Sequence, residues 1–594
     1  MQTCKVICVT LLCCIVANAH PSVVNNKAVN ERPKLDWYEN GVFYQIYPRS
    51  FKDSNGDGIG DIRGIIQELD YLKELGVDGA WLSPVFKSPM VDFGYDTEDF
   101  YDVDPMFGAM ADLEELFSEA KKRNIKIIMD FVPNHSSDKC EWFKKSVKRD
   151  PEYEKFYIWA DGKKNNTEPP NNWLSAFYGS AWTFNEERNQ WYYHAFAKEQ
   201  PDFNYRNENV TNKMIDVLNF WLEKGVNGFR LDAVNFFFES EDMRDEPLSN
   251  MTSDPKNYDY LKHDFIKNLG ESFEIVYKFR EAADKFQEKN DDVQLVLMSE
   301  AYVNDTDYVK YFCDGERKGT QIPFNFVLIT DMDKDSTPKQ VKKIIDKKIA
   351  SVPAGTRLNW QLGNHDRPRI ASLYGERRVD GLLTLILTLP GIAITYYGEE
   401  LGMVDNRTIP YAETIDPQAN TMDPTGNWMD FSRDPQRTPM QWDGTKKFAG
   451  FMPENATARP WLPINKNYKD VNVASERKNP HSTLNFYKQL VQLRKHDTFA
   501  YGSFTSTVIN ENVFAYVREL DNSDTYWVLI NFGALEHRID MTKSTIGGKV
   551  PAKLEIAAVG TDSCYERGAT VRANEVVLRK YDTIILKIRP DHSN

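Results

Sequence analysis

A chain of 594 residues, 41% hydrophobic and 27% charged, can bury a large core and has room for more than one domain. Its formal net charge of −15 would repel nucleic acid and anionic lipid, so neither is an expected partner. Aromatic residues make up 13%, which suits either a ring-rich core or a surface that stacks on flat ligands.

The chain starts with a predicted signal peptide over residues 1–19. Lys5 is its positive start, Val6 to Val16 its apolar stretch and Ala17-Asn18-Ala19 its small-x-small cleavage site, with His20 opening the mature chain. The apolar stretch is well short of the ~20 residues that cross a bilayer. Four of the seven cysteines (Cys4, Cys8, Cys13 and Cys14) leave with it. Cys140, Cys313 and Cys564 are too few and too scattered for a disulfide scaffold or a zinc site. Secretion makes Asn165, Asn209, Asn250, Asn304, Asn406 and Asn455 candidate glycan positions. Asn134 also fits the sequon, but its place in a motif described below predicts burial.

From about residue 36 to 500, short apolar strands alternate with amphipathic helices. Gly41 to Tyr47 reads as a strand. Ile62 to Leu75 reads as a helix with Ile62, Ile65, Ile66, Leu69, Leu72 and Leu75 on one face, ended by Gly76. Strands follow at Ala80 to Leu82, Ile125 to Val132, Gly228 to Ala233, Gln294 to Ser299, Phe324 to Val327, Leu358 to Leu362 and Ile392 to Tyr396. Helices are predicted near Leu113 to Arg123 and over Met214 to Lys224. Eight strands, mostly with helices between them, predict an α/β (β/α)8 TIM barrel, with its site at the C-terminal ends of the strands. An open doubly wound sheet is the alternative, weakened by the lack of a Gly-rich phosphate loop after the first strand. Residues 133–204 interrupt the rhythm as an inserted subdomain, and Gly398 to Asn472 form a second insertion. The barrel is assigned to 20–132 and 205–500. Residues 501–594 read as a C-terminal antiparallel β domain, with strands at Val513 to Arg518, Thr525 to Ile530, Leu554 to Ala558 and Val576 to Ile588.

Polar residues directly follow the apolar runs where a barrel places its chemistry. These are Asp130 to His135, Arg230 and Asp232, Glu300, and Asn364-His365-Asp366. One acid after a strand is often a cap, but four such groups in one barrel mark a site. Arg230 and Asp232, two apart on a strand, face the same way. The guanidinium is expected to lower the Asp232 pKa and keep it ionised, unless the two are only a structural ion pair. Burial and nearby acids are expected to raise the pKa of Glu300, as a general acid requires.

Asp130-x-x-x-Asn134-His135, Gly228-x-Arg230-x-Asp232, Glu300 and Asn364-His365-Asp366 resemble, in order and spacing, the four signature regions of the α-amylase superfamily. Gln200-Pro201-Asp202-Phe203-Asn204, Phe43 to Phe51 and Arg437 to Trp442 are similar to motifs of its oligo-1,6-glucosidase and maltase branch, most like secreted insect maltases. The resemblance implies an extracellular, retaining, exo-acting α-glucosidase with small carbohydrate substrates: maltose, malto-oligosaccharides and sucrose. It implies Asp232 as nucleophile, Glu300 as acid/base and Asp366 as transition-state stabiliser. His135, His365 and Arg230 would line the same subsite, Tyr95 would stack on the glucose, and Asp96 with Arg437 would hold its terminal hydroxyls, with Arg433 close by. Ala233, where relatives selective for α-1,6 linkages carry Val, would favour α-1,4 linkages. Two rivals share the resemblance: an endo-acting α-amylase, and a transporter heavy subunit without catalysis. No organic cofactor is implied.

Asp53-Ser54-Asn55-Gly56-Asp57-Gly58-Ile59-Gly60-Asp61 places oxygen side chains at alternate positions, like the start of an EF-hand loop. The family resemblance implies Ca²⁺ held by Asp53, Asn55, Asp57, the Ile59 carbonyl and Asp61. The alternative is an Asp/Asn/Gly-rich turn without metal.

Overall fold

The computed structural model describes residues 34–590, apart from 291–292, 354 and 421–425. The predicted signal peptide therefore lies outside the described residues. Eight parallel strands form the central sheet: β1 (Val42–Ile46), β2 (Gly79–Leu82), β3 (Lys126–Phe131), β4 (Gly228–Leu231), β5 (Val296–Ser299), β6 (Ile322–Pro323), β7 (Asn359–Trp360) and β8 (Ile392–Tyr396). They run in the order β6-β5-β4-β3-β2-β1-β8-β7. The seam between β6 and β7 has no backbone ladder. Asn325 and Asn359 close it instead. The Asn325 N–H donates to Asn359 Oδ1 at 2.9 Å, and Asn325 Nδ2 to the Asn359 carbonyl at 3.0 Å.

The two-residue alternation of each strand sorts its side chains. Phe43, Trp81, Ile128, Met298, Ile392 and Ile394 pack inside the barrel. Val42, Tyr44 and Ile46 face the surrounding helices. The sixth strand lies earlier than the Phe324 to Val327 run predicts. Phe324 and Phe326 still fill the interior, but Asn325 takes ladder bonds with its side chain, and a helix starts at Val327. The predicted helix over Ile62 to Leu75 is two, Ile62–Gln67 and Leu69–Leu75. They meet at Glu68, and Gly76 ends the second at φ 82°.

After β3 the inserted region builds its own three-stranded antiparallel sheet. Its core is aromatic, with Trp173, Trp182 and Tyr193 in mutual ring contact. The C-terminal region is a six-stranded antiparallel sheet docked on the helix Val379–Thr388, where the Arg518 guanidinium donates to the Thr388 carbonyl at 2.7 Å. The strand predicted over Val576 to Ile588 is two, Val576–Leu578 and Thr583–Ile588, in different sheets. The chain turns between them through Tyr581 at φ 58°. No helix among the described residues is long and apolar enough to cross a membrane.

Asn165, Asn209, Asn250, Asn304 and Asn455 are exposed. Asn406 is not. It is 4% exposed and donates through Nδ2 to the Pro463 carbonyl, so a glycan there would have to displace packed chain.

Candidate active site

The register of three neighbouring strands assembles the acidic cluster. Asp130 on β3 lies level with Arg230 on β4, and Ser299 on β5 lies level with Leu231. The ladder then continues one step past each strand. The Asp232 N–H donates to the Phe131 carbonyl and the Glu300 N–H to the Leu231 carbonyl, both at 2.9 Å. Asp232 and Glu300 are thereby set side by side at the rim, where they line a cavity of about 370 Å³ with Tyr95, His135, His365 and Asp366.

Arg230 ties the acids together. Its guanidinium bonds Asp232 and Asp130, the latter at 3.0 Å, and lies 3.7 Å from Glu300 Oε2. The Trp81 ring backs it, 5.1 Å away. Ala233 adds a second link, because its N–H donates to Glu300 Oε2 at 2.9 Å. The backbone at Ala233 is left-handed (φ 48°, ψ 35°), which costs a non-glycine residue about 1–2 kcal/mol.

Asp92 and Arg433 supply an ion pair in the cavity wall, at 2.7 Å. Arg433 also bonds Asp416 at 2.7 Å and Asp366 at 3.3 Å. This corrects the assignment of Asp96 and Arg437 to a bound ring. Asp96 turns inward, and its oxygens accept from the Ser88 hydroxyl and from the N–H groups of Val91 and Asp92. It thus holds the turn that presents Asp92. The turn reverses through left-handed Met90, Phe93 and Gly94, which exchanges the two acids. Arg437 is fully buried behind the wall, donating to the His365 carbonyl at 2.8 Å and to Asp366 at 3.0 Å. Gln200 of the insertion reaches Asp92 at 3.3 Å and His135 at 3.1 Å. Its motif was visible in the sequence, but nothing local tied it to Asp92.

The catalytic-domain model of the Alpha-amylase family matches residues 45–502. The chain belongs to the alpha-amylase family. It is 43% identical to Maltase 1 of Drosophila virilis over 93% of this chain and 87% of that protein. It is 44% identical to the salivary alpha-glucosidase of Aedes aegypti, covering 84% and 86%. It is also 37% identical to the human amino acid transporter heavy chain SLC3A1, covering 93% and 78%. Among solved structures, the alpha-glucosyl transfer enzyme XgtA superposes with a TM-score of 0.81 at 30% identity, covering 94% of this chain and 100% of that one.

In this alpha-amylase family member the acids differ sharply in their hold on a proton. Burial pushes Glu300 up to about 7; Arg230 and the Ala233 N–H oppose this, while Asp232 and Asp366 add to it. Burial also raises Asp232. Arg230 pulls it down as the spacing predicts, but burial outweighs that pull and the net shift is upward. Burial acts on Asp366 too, yet there His365 and the guanidiniums of Arg433, Arg437 and Arg230 prevail and hold the carboxyl well below its usual range. Burial leaves His365 (about 3) and His135 (about 4) neutral near pH 7, so the guanidiniums do this work there. Asn134 is 1% exposed and donates to Asp202 at 2.8 Å. The Tyr95 ring stacks on His365, with centroids 5.3 Å apart, and its hydroxyl donates to Asp130 at 3.0 Å.

The loop after β1 is a self-bonded turn. Asp53 accepts the N–H groups of Asn55, Gly56 and Gly58, Asp57 accepts that of Ile59, and Asp61 accepts those of Ser54 and Gly64. Among the described residues no three His, Cys, Asp or Glu side chains are grouped so as to hold a metal ion. The loop is nonetheless short of positive charge. Burial and the like charge of Asp57 both raise the Asp53 pKa, against the backbone N–H bonds that lower it.

Proposed function

We propose that this chain is a retaining, exo-acting α-glucosidase that releases α-glucose from the non-reducing ends of maltose and longer α-1,4-linked oligosaccharides, and from sucrose. The observation that carries the reading is the pair of carboxyls, Asp232 and Glu300, held by one guanidinium in a cavity of about 370 Å³. Sites for small ligands run from roughly 300 to 1,000 Å³. Arg230 touches Asp232 and lies farther from Glu300, so the negative charge rests on Asp232 and the proton on Glu300.

Glu300 donates its proton to the glycosidic oxygen while Asp232 attacks the anomeric carbon. The bond from that carbon to the leaving oxygen breaks, an ester to Asp232 forms, and the aglycone departs as an alcohol. Glu300, now ionised, takes a proton from a water that attacks the same carbon. The ester breaks, α-glucose leaves, and both carboxyls return to their starting states. Asp366, kept ionised by Arg433 and Arg437, supports the positive charge developing on the ring. Asp92 and Arg433 offer fixed partners to the hydroxyls of a terminal glucose. NMR of freshly released sugar tests the mechanism, since α-glucose is expected and β-glucose would refute it. A heavy subunit without catalysis would release no glucose from maltose. An endo-acting enzyme would cut starch internally.

We propose also that the protein is a secreted glycoprotein, a reading supported by the signal peptide predicted over residues 1–19 and the five exposed sequons. We propose further that the Asp53 to Asp61 loop takes Ca²⁺ through Asp53, Asn55, Asp57, Asp61 and the Ile59 carbonyl. The support is hard oxygen chemistry and uncompensated acid, and the ion would have a structural role.

A further inference from the structure

The catalytic acids already have cation partners. Arg230 serves Asp232 and Asp130, while Arg433 and Arg437 serve Asp366, and Arg433 also serves Asp92. Two more cations line the same cavity, Lys267 and Arg367. Among the described residues neither has a carboxylate within ion-pairing distance. Asp259 and Glu246 act on Lys267 only from farther away. Each cation instead lies over an aromatic ring that also lines the cavity. Lys267 Nζ is 5.0 Å from the Tyr258 centroid, and the Arg367 guanidinium is 5.5 Å from that of Tyr302. Both rings are braced from behind, Tyr258 on His263 at 3.6 Å and Tyr302 on Phe326 at 4.0 Å. The cavity wall thus carries two cations on fixed platforms, neither of them in contact with a carboxylate among the described residues. A neutral sugar hydroxyl can accept a hydrogen bond from such a cation, but only an anionic group would also supply the missing countercharge. Lys267 is partly buried and Arg367 is exposed, and cations held over aromatic faces beside a concave, low-dielectric wall attract an anion.

We propose that the cavity accepts α-glucosides whose aglycone carries an anionic group (carboxylate, sulfate or phosphate), with Lys267 and Arg367 as the recognition pair. This rests on the α-glucosidase reading, and the bond broken is the same one. Initial rates on 4-carboxyphenyl and phenyl α-glucoside, in wild type and in the double variant Lys267→Gln/Arg367→Gln, provide the test. The wild type should prefer the carboxylate substrate. That preference should fall about tenfold in the double variant and shrink as ionic strength rises. The charge-conserving pair Lys267→Arg/Arg367→Lys should retain it. A preference unchanged in the double variant, or an equal loss on both substrates, would overturn the proposal. Failure of the wild type to hydrolyse even phenyl α-glucoside would instead reject the α-glucosidase reading beneath it.

Discussion

Replacing Glu300 by Gln tests the central assignment, because it removes a proton whose position the structure explains. Burial carries this carboxyl from its ordinary 4.5 to about 7. That shift favours the protonated form by about 3 kcal/mol. At pH 6.5 an unshifted glutamic acid would be only about 1% protonated, whereas Glu300 is about three-quarters protonated. Wild-type kcat/KM on maltose should therefore fall along an alkaline limb centred near pH 7. Glu300→Gln should lose about 10²–10⁴-fold on maltose, whose leaving alkoxide needs the proton. On α-glucosyl fluoride, which needs none, glucosyl transfer to Asp232 should be largely spared, and the alkaline limb should vanish from that step. Stopped-flow and steady-state rates between pH 4.5 and 9 give both readouts. An identical alkaline limb in Glu300→Gln would show that another group donates the proton, and the assignment would be wrong. The same shift fixes a sign for stability. Glu300 binds its proton more tightly folded than unfolded, so its contribution is complete below about pH 4.5 and is lost as pH rises through about 7.

Asp232→Asn should abolish turnover while leaving the melting temperature nearly unchanged; a variant with substantial activity would move the nucleophile elsewhere. Asp92→Asn should lower kcat/KM on maltose by about tenfold to a hundredfold, the scale of one charged hydrogen bond. An unaffected Asp92→Asn would restore the case for Asp96. Chelation of undialysed protein should lower the melting temperature more than the activity, because an ion bound only by the folded state stabilises it; absence of divalent metal on elemental analysis would leave the loop a plain turn. Maltose should exceed isomaltose in kcat/KM by roughly tenfold to a few hundredfold. Ala233→Val should narrow that ratio. A β-branched residue at φ 48° is strained, so the ratio and not the absolute rate is the measure, and an unchanged ratio would clear Ala233 of any part in linkage choice.

Much of this protein is legible in local sequence. An apolar run that ends in an acid marks both a barrel strand and its chemistry. The backbone ladder then sets Asp232, Glu300 and Asp130 around Arg230 with no further information. Tertiary structure decided whatever depends on a chain reversal or a distant partner. Asp92 faces the cavity and Asp96 does not, because two left-handed residues, Phe93 and Gly94, turn the loop between them. Arg433 meets Asp92 across 341 residues of sequence, a separation no local pattern can bridge. Asn406 reads as an open sequon until Pro463 packs over it. Asp232 looks like an acid with its pKa lowered by a neighbouring arginine until burial, a property of the whole fold, reverses the sign. Residue order determines which groups sit at the strand ends, whereas solvent exclusion and long-range contact determine which way they face and how tightly each holds its proton.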